Sequence, residues 1–176
     1  MVRLTELNNA AVPAVPEVTT EDMSQLLGRA NWSVVLEHGD GVAGMVICFD
    51  SGQDYDSENY RYFESHYENH LYIDRVVLGE SLRGQGVGTA LYDDLFEYAQ
   101  KAGRDFVTCE VNLEPPNPGS LRFHHRRGFE DVSTQATKGG SVVVQLLAEG
   151  IGHVRHVGDL HCTRLGASHG LNCRPG

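Results

Sequence analysis

Three glycines near the middle of the chain form a pattern that suits the binding of an anion. The segment Arg83-Gly84-Gln85-Gly86-Val87-Gly88-Thr89 follows an apolar run, Leu71 to Leu78, that predicts a buried strand, and it opens a predicted helix. Glycine admits positive φ and close backbone approach, and the first N–H groups of a helix have no intrahelical partner. A phosphate or pyrophosphate satisfies those groups and meets the positive end of the helix dipole. The alternative is a glycine turn that only changes the direction of the chain.

Two other nucleotide-binding loops are excluded by spacing. A Walker loop requires Gly-Lys-Ser/Thr, and no lysine follows Gly86 or Gly88. A dinucleotide fingerprint requires a third glycine three positions after the second, whereas Thr89 stands three positions after Gly86.

Two titratable residues downstream are candidates for proton transfer. The run from Phe106 to Val111 predicts a strand whose alternation places Glu110 on the same face as Thr108. Asn117 begins a predicted short helix and shares one of its faces with His124. The alternatives are an ion pair between Glu110 and an arginine, and a packing role for His124.

The segment between Asp50 and His70 is rich in aromatic and acidic residues, which suggests a wall for an amine substrate. Aromatic rings can line a pocket while carboxylates attract an ammonium group. We therefore assign the acceptor to Tyr60, Tyr62 and Glu64, together with Asp74 of the predicted strand. The alternative is a solvated acidic helix whose aromatic side chains pack on the core.

Composition limits the class of protein and its partners. The chain has 176 residues, 40% of them hydrophobic, and a net charge of −10, which suits one domain without a nucleic-acid or membrane surface. No signal peptide or apolar run of membrane-spanning length is found, and four cysteines without metal-like pairs in the main body predict a reducing, cytoplasmic setting.

The remaining pattern predicts an α/β chain with a mixed sheet flanked by helices. Residues 2–18 contain two prolines and predict an extended lead-in, and Thr19 to Asp22 predict the start of a helix. Residues 150–176 lose the apolar period and predict a disordered or non-core extension. Histidines and cysteines in that extension match no standard zinc spacing, so we assign no metal.

The glycine segment and its preceding strand resemble motif A of the GNAT superfamily of N-acetyltransferases, Arg/Gln-x-x-Gly-x-Gly/Ala. The resemblance implies a mostly antiparallel sheet of six to seven strands over residues 1–149, with a V-shaped cleft between two central strands. It implies acetyl-CoA as cosubstrate, with the pyrophosphate on the loop and an N–H near Val77 on the thioester carbonyl. The residues that it assigns to the coenzyme are Val76, Val77, Leu78, Arg83, Gly84, Gln85, Gly86, Val87, Gly88, Thr89 and Asn117.

The same resemblance assigns catalytic roles. Glu110 is similar to the general base of ribosomal-protein N-terminal acetyltransferases, and His124 stands where many members have the tyrosine that protonates the thiolate. The segment from Asn112 to Pro118 is similar to a group of predicted GNAT acetyltransferases with Asn-Leu-x-Pro-Pro-Asn-Pro. The implied function is acetyl transfer to a primary amine of a small molecule or peptide, in an enzyme that exposed strand edges would allow to dimerise. The alternatives are a non-catalytic acyl-CoA-binding module and an oligomeric scaffold.

Overall fold

The structure, a computed structural model, describes residues 1–39 and 41–152. The strands of this part are β1 (Trp32–His38), β2 (Gly41–Asp50), β3 (His70–Leu78), β4 (Phe106–Glu114), β5 (Glu130–Thr137) and β6 (Val142–Gly150). Its α-helices are α1 (Val2–Ala10), α2 (Thr20–Arg29), α3 (Glu58–His66), α4 (Val87–Lys101) and α5 (Pro118–Arg126). Short 3₁₀ turns lie at Glu80–Leu82 and Lys138–Gly140.

The strand order produces an open cleft in the middle of the sheet. The described strands run β1-β2-β3-β4-β6-β5, and every neighbouring pair is antiparallel except β3 and β4. That parallel pair is joined only where residues 70–72 face residues 106–108. Both strands continue beyond this point without pairing to each other, so they diverge like the arms of a V. The predicted mixed sheet with a V-shaped cleft is confirmed.

The sheet is covered on both faces, because alternate residues of its central strands are buried in two separate clusters. On one face, Met45 and Ile47 of β2 pack with side chains of α1, α2 and α3. On the other face, Val46 and Cys48 pack with Leu91 and other residues of α4. Burial on both sides fixes the register of β2, since a slip by one residue would exchange the two faces.

Helix α4 begins and ends where glycine permits it. Gly86 is its N-cap residue at φ 77°, and Gly103 follows its C-terminus at φ 71°. Its buried residues include Leu91, Leu95 and Ala99, which recur at helical spacing on the face towards the sheet. The predicted glycine turn and helix are confirmed as local structure.

The N-terminal lead-in is where the prediction from sequence is wrong. Residues 2–10 form helix α1, and only residues 11–18 form a connection. The helix packs on the sheet through Leu4, Thr5 and Asn8. Two of those three buried residues are polar, so the apolar pattern that would predict the helix from sequence is weak.

The C-terminal end of the described part is strand β6, which ends at Gly150. The backbone N–H of Ile151 then donates to the carbonyl of Asp105, 2.8 Å away. The predicted non-core extension begins at residue 150, which is the last residue of β6, and its residues 153–176, with the histidines and cysteines, lie outside the described residues. No helix among the described residues has the length and apolar character needed to cross a membrane.

Candidate active site

The glycine loop lies directly after β3 and presents the N-terminus of α4 beside it. Gly84 and Gly86 both adopt positive φ, which a residue with a Cβ adopts only with strain. Gly88 has a different role, since a Cβ there would lie 3.3 Å from Leu78 and 3.5 Å from Phe123. The loop therefore needs glycine at positions 84 and 86 for its backbone conformation, and a side chain at position 88 would contact β3 and α5 and require Leu78 to shift slightly.

A cavity of about 500 Å³ runs along the free edge of β3 towards this loop. Its lining includes six residues that the sequence assigns to the coenzyme, namely Val76, Val77, Leu78, Arg83, Gly88 and Asn117. The other assigned residues, Gly84, Gln85, Gly86, Val87 and Thr89, lie in the adjoining loop and first turn of α4. The N–H and C=O groups of β3 that face β4 have no strand partner here, so an extended chain can pair with them.

A second, smaller cavity of about 110 Å³ contains Glu110 on the opposite arm of the cleft. The Tyr72 hydroxyl donates to Glu110 Oε2 at 2.8 Å. Burial raises the pKa of Glu110 to about 7, the nearby Asp74 adds to the increase, and the hydrogen bond from Tyr72 opposes it. A carboxyl group with this pKa is half ionised near neutral pH, which suits a general base.

Asp74 lines the same cavity, and its charge is already paired. Arg75 Nε donates to Asp74 Oδ2 at 2.7 Å, and the Tyr55 hydroxyl donates to Oδ1 at 2.5 Å. Arg75 is itself buried, and its second contact is with Asn8 Oδ1 at 2.9 Å. The pair therefore anchors helix α1 to β3 as well as placing a carboxylate in the cavity.

His124 lies between the two cavities and lines both. Its Nδ1 lies 2.9 Å from the Ser120 carbonyl, and its Nε2 lies 2.7 Å from the Tyr92 hydroxyl. A carbonyl only accepts, so in the neutral ring Nδ1 carries the proton and Nε2 accepts from Tyr92. Burial lowers the pKa of His124, which favours this neutral form. In this arrangement neither ring nitrogen has a free proton to donate into the cleft.

Three residues assigned to the acceptor from sequence lie away from these cavities. Tyr60 is buried, donates to the Asp50 carbonyl at 2.6 Å and accepts from the N–H of Gln53. Tyr62 stacks on His66, and the Glu64 carboxylate accepts from the N–H of Gly52. This segment forms helix α3, whose aromatic residues pack on the core, which is the alternative stated above. Of the assigned acceptor residues, Asp74 alone lines the Glu110 cavity.

Other side chains, which the sequence does not assign to the acceptor, line the space beside Glu110. Tyr55, Asn59 and Tyr72 line a third cavity of about 300 Å³, which shares Glu110 and Asp74 with the smaller one. The aromatic and acidic composition of residues 50–70 does point to the segment that supplies Tyr55 and Asn59. No local pattern distinguishes these two from the residues that are buried as packing.

The connection between α1 and α2 forms part of the wall of both cavities. Its residues 13–16 line the Glu110 cavity, and Ala11 and Ala14 line the cavity along β3. The Pro13 carbonyl accepts from Asn112 Nδ2 of β4 at 2.8 Å, and the Pro16 carbonyl accepts from Asn8 Nδ2 at 2.8 Å. This strap, residues 11–16, is thus held to β4 at Pro13 and to α1 at Pro16, and the N-terminal region lines both cavities.

Comparison with known proteins identifies the family. A model of the acetyltransferase (GNAT) family matches residues 3–129, well over half of the chain. The chain therefore belongs to the GNAT acetyltransferase family, as the glycine motif predicts. The narrower similarity carried by residues 112–118 stays a prediction.

One curated relative and two solved structures illustrate the similarity. An uncharacterized N-acetyltransferase of Methanocaldococcus jannaschii is 41% identical over 59 residues, which make up 34% of this chain and 25% of that protein. The match thus spans about a quarter of the relative's length. The ribosomal-protein-alanine N-acetyltransferase from Brucella melitensis has a TM-score of 0.61 at 20% identity, covering 84% of this chain and 91% of that one. A Salmonella typhimurium protein solved with its cofactor acetyl-CoA has a TM-score of 0.59 at 21% identity, covering 86% and 88%. These likenesses confirm the fold.

Proposed function

We propose that the protein transfers an acetyl group from acetyl-CoA to a primary amine by direct attack, with both substrates bound at once. The observation that carries this proposal is the divergence of β3 and β4 beyond residues 72 and 108. One arm of the resulting cleft offers unpaired strand edge and leads to the glycine loop, and the other arm carries Glu110. Binding both reactants in one cleft supplies the orientation that amide formation requires.

The coenzyme is held by backbone groups in this proposal. Residues 84–89 provide helix and loop N–H groups for the pyrophosphate, and residues 76–78 pair with the amide-containing arm of the coenzyme. The N–H near Val77 then stabilises negative charge that develops on the thioester oxygen. The cavity along β3, with Gly88 at one side, has the position that this arrangement needs.

Glu110 is the proposed general base. An ammonium ion cannot attack, so the acceptor must lose a proton before the nitrogen–carbon bond forms. The raised pKa of about 7 gives Glu110 enough basicity to accept that proton near neutral pH, directly or through a water molecule. The hydrogen bond from Tyr72 fixes the orientation of the carboxylate.

The acceptor in this proposal is an amine of a small molecule or of a peptide terminus. The third cavity leads outwards from Glu110 between Tyr55, Asn59 and the turn at Lys138. Asp56 at this opening is paired with Arg61, so Glu58 and Glu110, with Lys138 as the one cation among the described lining residues, supply the negative charge that favours a cationic acceptor. Nothing in the cavity lining suggests a nucleic acid as acceptor.

A reducing compartment and a homodimer complete the proposal. Cys48 and Cys109 are buried free thiols, which is the usual state of cysteine in a cytoplasmic protein. Strand β1 forms one edge of the sheet and exposes Val35, which gives a second copy a surface to pair with. Light scattering of the purified protein measures the mass in solution, and a monomer at all concentrations would remove the dimer from the proposal.

The decisive experiment is a screen of primary amines with acetyl-CoA, followed by release of free thiol. Turnover that is lost in Glu110→Gln, while calorimetry shows unchanged acetyl-CoA affinity, supports the enzyme and its base. Binding of acetyl-CoA without turnover of any amine would favour a non-catalytic acyl-CoA-binding module. If calorimetry detects no binding of CoA or acetyl-CoA, both functions are refuted.

A further inference from the structure

We propose that Tyr92 is a catalytic residue that donates a hydrogen bond to the departing thiolate, and that His124 is a positioning residue that holds the Tyr92 hydroxyl in place. This inference rests on the proposed acetyl transfer. It replaces the expectation that His124 itself supplies a proton.

The contacts of the two side chains hold them as a unit. The Tyr92 hydroxyl donates to His124 Nε2 at 2.7 Å, while Nδ1 is held by the Ser120 carbonyl at 2.9 Å. The ring of Tyr92 also makes edge contacts with Phe123 and Phe129, at centroid distances of 4.9 and 6.2 Å. The hydroxyl therefore has one well-defined position before any substrate binds, which is what preorganised stabilisation of charge requires.

The location of the pair connects it with the leaving group. Tyr92 and His124 both line the cavity along β3, together with Val76, Val77 and Gly88. His124 also lines the cavity that contains Glu110. The junction of these two cavities is where a thioester bound along β3 meets an amine at Glu110, so the sulfur leaves on the side of the Tyr92–His124 pair.

The departing thiolate requires a hydrogen-bond donor beside the sulfur, but that donor does not have to give up its proton. Glu110 takes one proton from the ammonium ion and passes it to solvent before the attack, and it takes the second amine proton as the nitrogen–carbon bond forms. The carbon–sulfur bond then breaks with its electron pair on sulfur. The thiolate is an anionic acceptor and competes with the neutral His124 Nε2 for the Tyr92 O–H. Tyr92 keeps its proton, since burial raises its pKa well above that of a thiol, and the thiolate takes a proton from water after it is released.

Other titratable groups near the pair do not supply the same interaction. Cys48 and Cys109 approach Tyr92 from the sheet, and burial raises the pKa of both thiols. Arg127 is directed towards α4, where it pairs with Asp93 and lies over the Phe96 ring. His125, the neighbour of His124, pairs with Asp131 on the exposed side of α5.

The first test measures the ionisation of CoA bound to the protein, from the ultraviolet absorbance of its thiolate across a pH range. In the wild type we expect the pKa of the bound thiol to be lowered. Tyr92→Phe should raise it by about 1–2 units and reduce kcat by about 10- to 100-fold, because a hydrogen bond to a charged group is lost. Tyr98→Phe removes a hydroxyl near the other end of α4 and serves as the matched control, with neither quantity changed. A purely structural role for Tyr92 would weaken CoA binding equally at every pH.

The second test separates positioning from acid catalysis at residue 124. His124→Gln keeps an acceptor for the Tyr92 hydroxyl and should retain most of kcat, whereas His124→Leu should resemble Tyr92→Phe. Equal losses in the two variants, or a Tyr92→Phe enzyme with wild-type kcat, would overturn the inference. CoA that binds to the wild type with an unshifted thiol pKa would overturn it too, while the proposed acetyl transfer would still stand.

Discussion

Glu110→Gln should lower activity and raise stability, both in the same pH range. Burial raises the pKa of this carboxyl from its ordinary value of 4.5 to about 7, so the ionised form is less favourable in the folded protein than in the unfolded chain. Between those two pKa values the folded state binds more protons than the unfolded state, so the free energy of unfolding decreases as pH rises. At 1.36 kcal/mol for each pKa unit, the carboxylate destabilises the fold by about 3 kcal/mol at pH 8.

A neutral glutamine of the same shape avoids this cost and can still accept from the Tyr72 hydroxyl. We expect Glu110→Gln to unfold at higher urea concentration than the wild type at pH 8, with the advantage shrinking to near zero at pH 4.5. Its kcat/KM for the acceptor should be lower by about 10²- to 10⁴-fold, the usual contribution of a general base. The wild-type kcat/KM should rise with pH through about 7, as Glu110 ionises.

Exposed Glu37 of β1 provides the matched control for the charge change. Glu37→Gln should alter stability by less than about 0.5 kcal/mol and leave kcat/KM unchanged. If Glu110→Gln is no more stable than the wild type at pH 8, the carboxyl does not have the raised pKa on which the base role depends. An active variant with a wild-type pH profile would refute that role directly.

Three further substitutions test the remaining parts of the site. Gly88→Val should raise the KM for acetyl-CoA by at least tenfold in steady-state kinetics, because its side chain would meet Leu78 and Phe123 in the cavity along β3; an unchanged KM would remove the coenzyme from that cavity. Tyr60→Phe should lower the free energy of unfolding by about 1–3 kcal/mol in urea titrations without changing the acceptor KM, since its hydroxyl serves the 50–53 turn; a raised acceptor KM would restore Tyr60 to the acceptor site. Arg75→Met should lower the free energy of unfolding by about 3–5 kcal/mol in urea titrations, because the substitution leaves Asp74 partly buried without its cation. A decrease of less than about 1 kcal/mol would contradict that pairing.

The elements that the sequence predicts correctly are those whose signal is local. The glycine loop and α4 are one continuous segment, and the cap of α2 depends on Thr19 and Asp22, which exchange hydrogen bonds three residues apart. The cleft could be predicted from the sequence only through the resemblance to the GNAT motif. No local sequence pattern predicts that β3 and β4 pair over three residues and then separate.

Residues 50–70 show why composition indicates a segment next to the cavities without indicating which of its side chains line them. Alternating aromatic and acidic residues are equally compatible with a pocket wall and with a helix packed on the core. Tyr60 and Phe63 lie on the buried face of α3 and pack on the core. Tyr55 lies just before α3 and Asn59 lies in its first turn. Both line the same cavity as Glu110.

The interactions that complete the site join residues too distant in the chain for any pattern to connect them. Asn112 and Pro13 are 99 residues apart, Arg75 and Asn8 are 67 apart, and Tyr92 and His124 are 32 apart. Each of these contacts depends on a side-chain position that exists only once the sheet has formed and its helices have packed. The strap of residues 11–16 is the clearest case, because its sequence shows only two prolines and small residues. Its function as a wall of both cavities follows from the anchoring of α1 by Arg75, a buried charge whose cost the fold offsets by pairing it with Asp74.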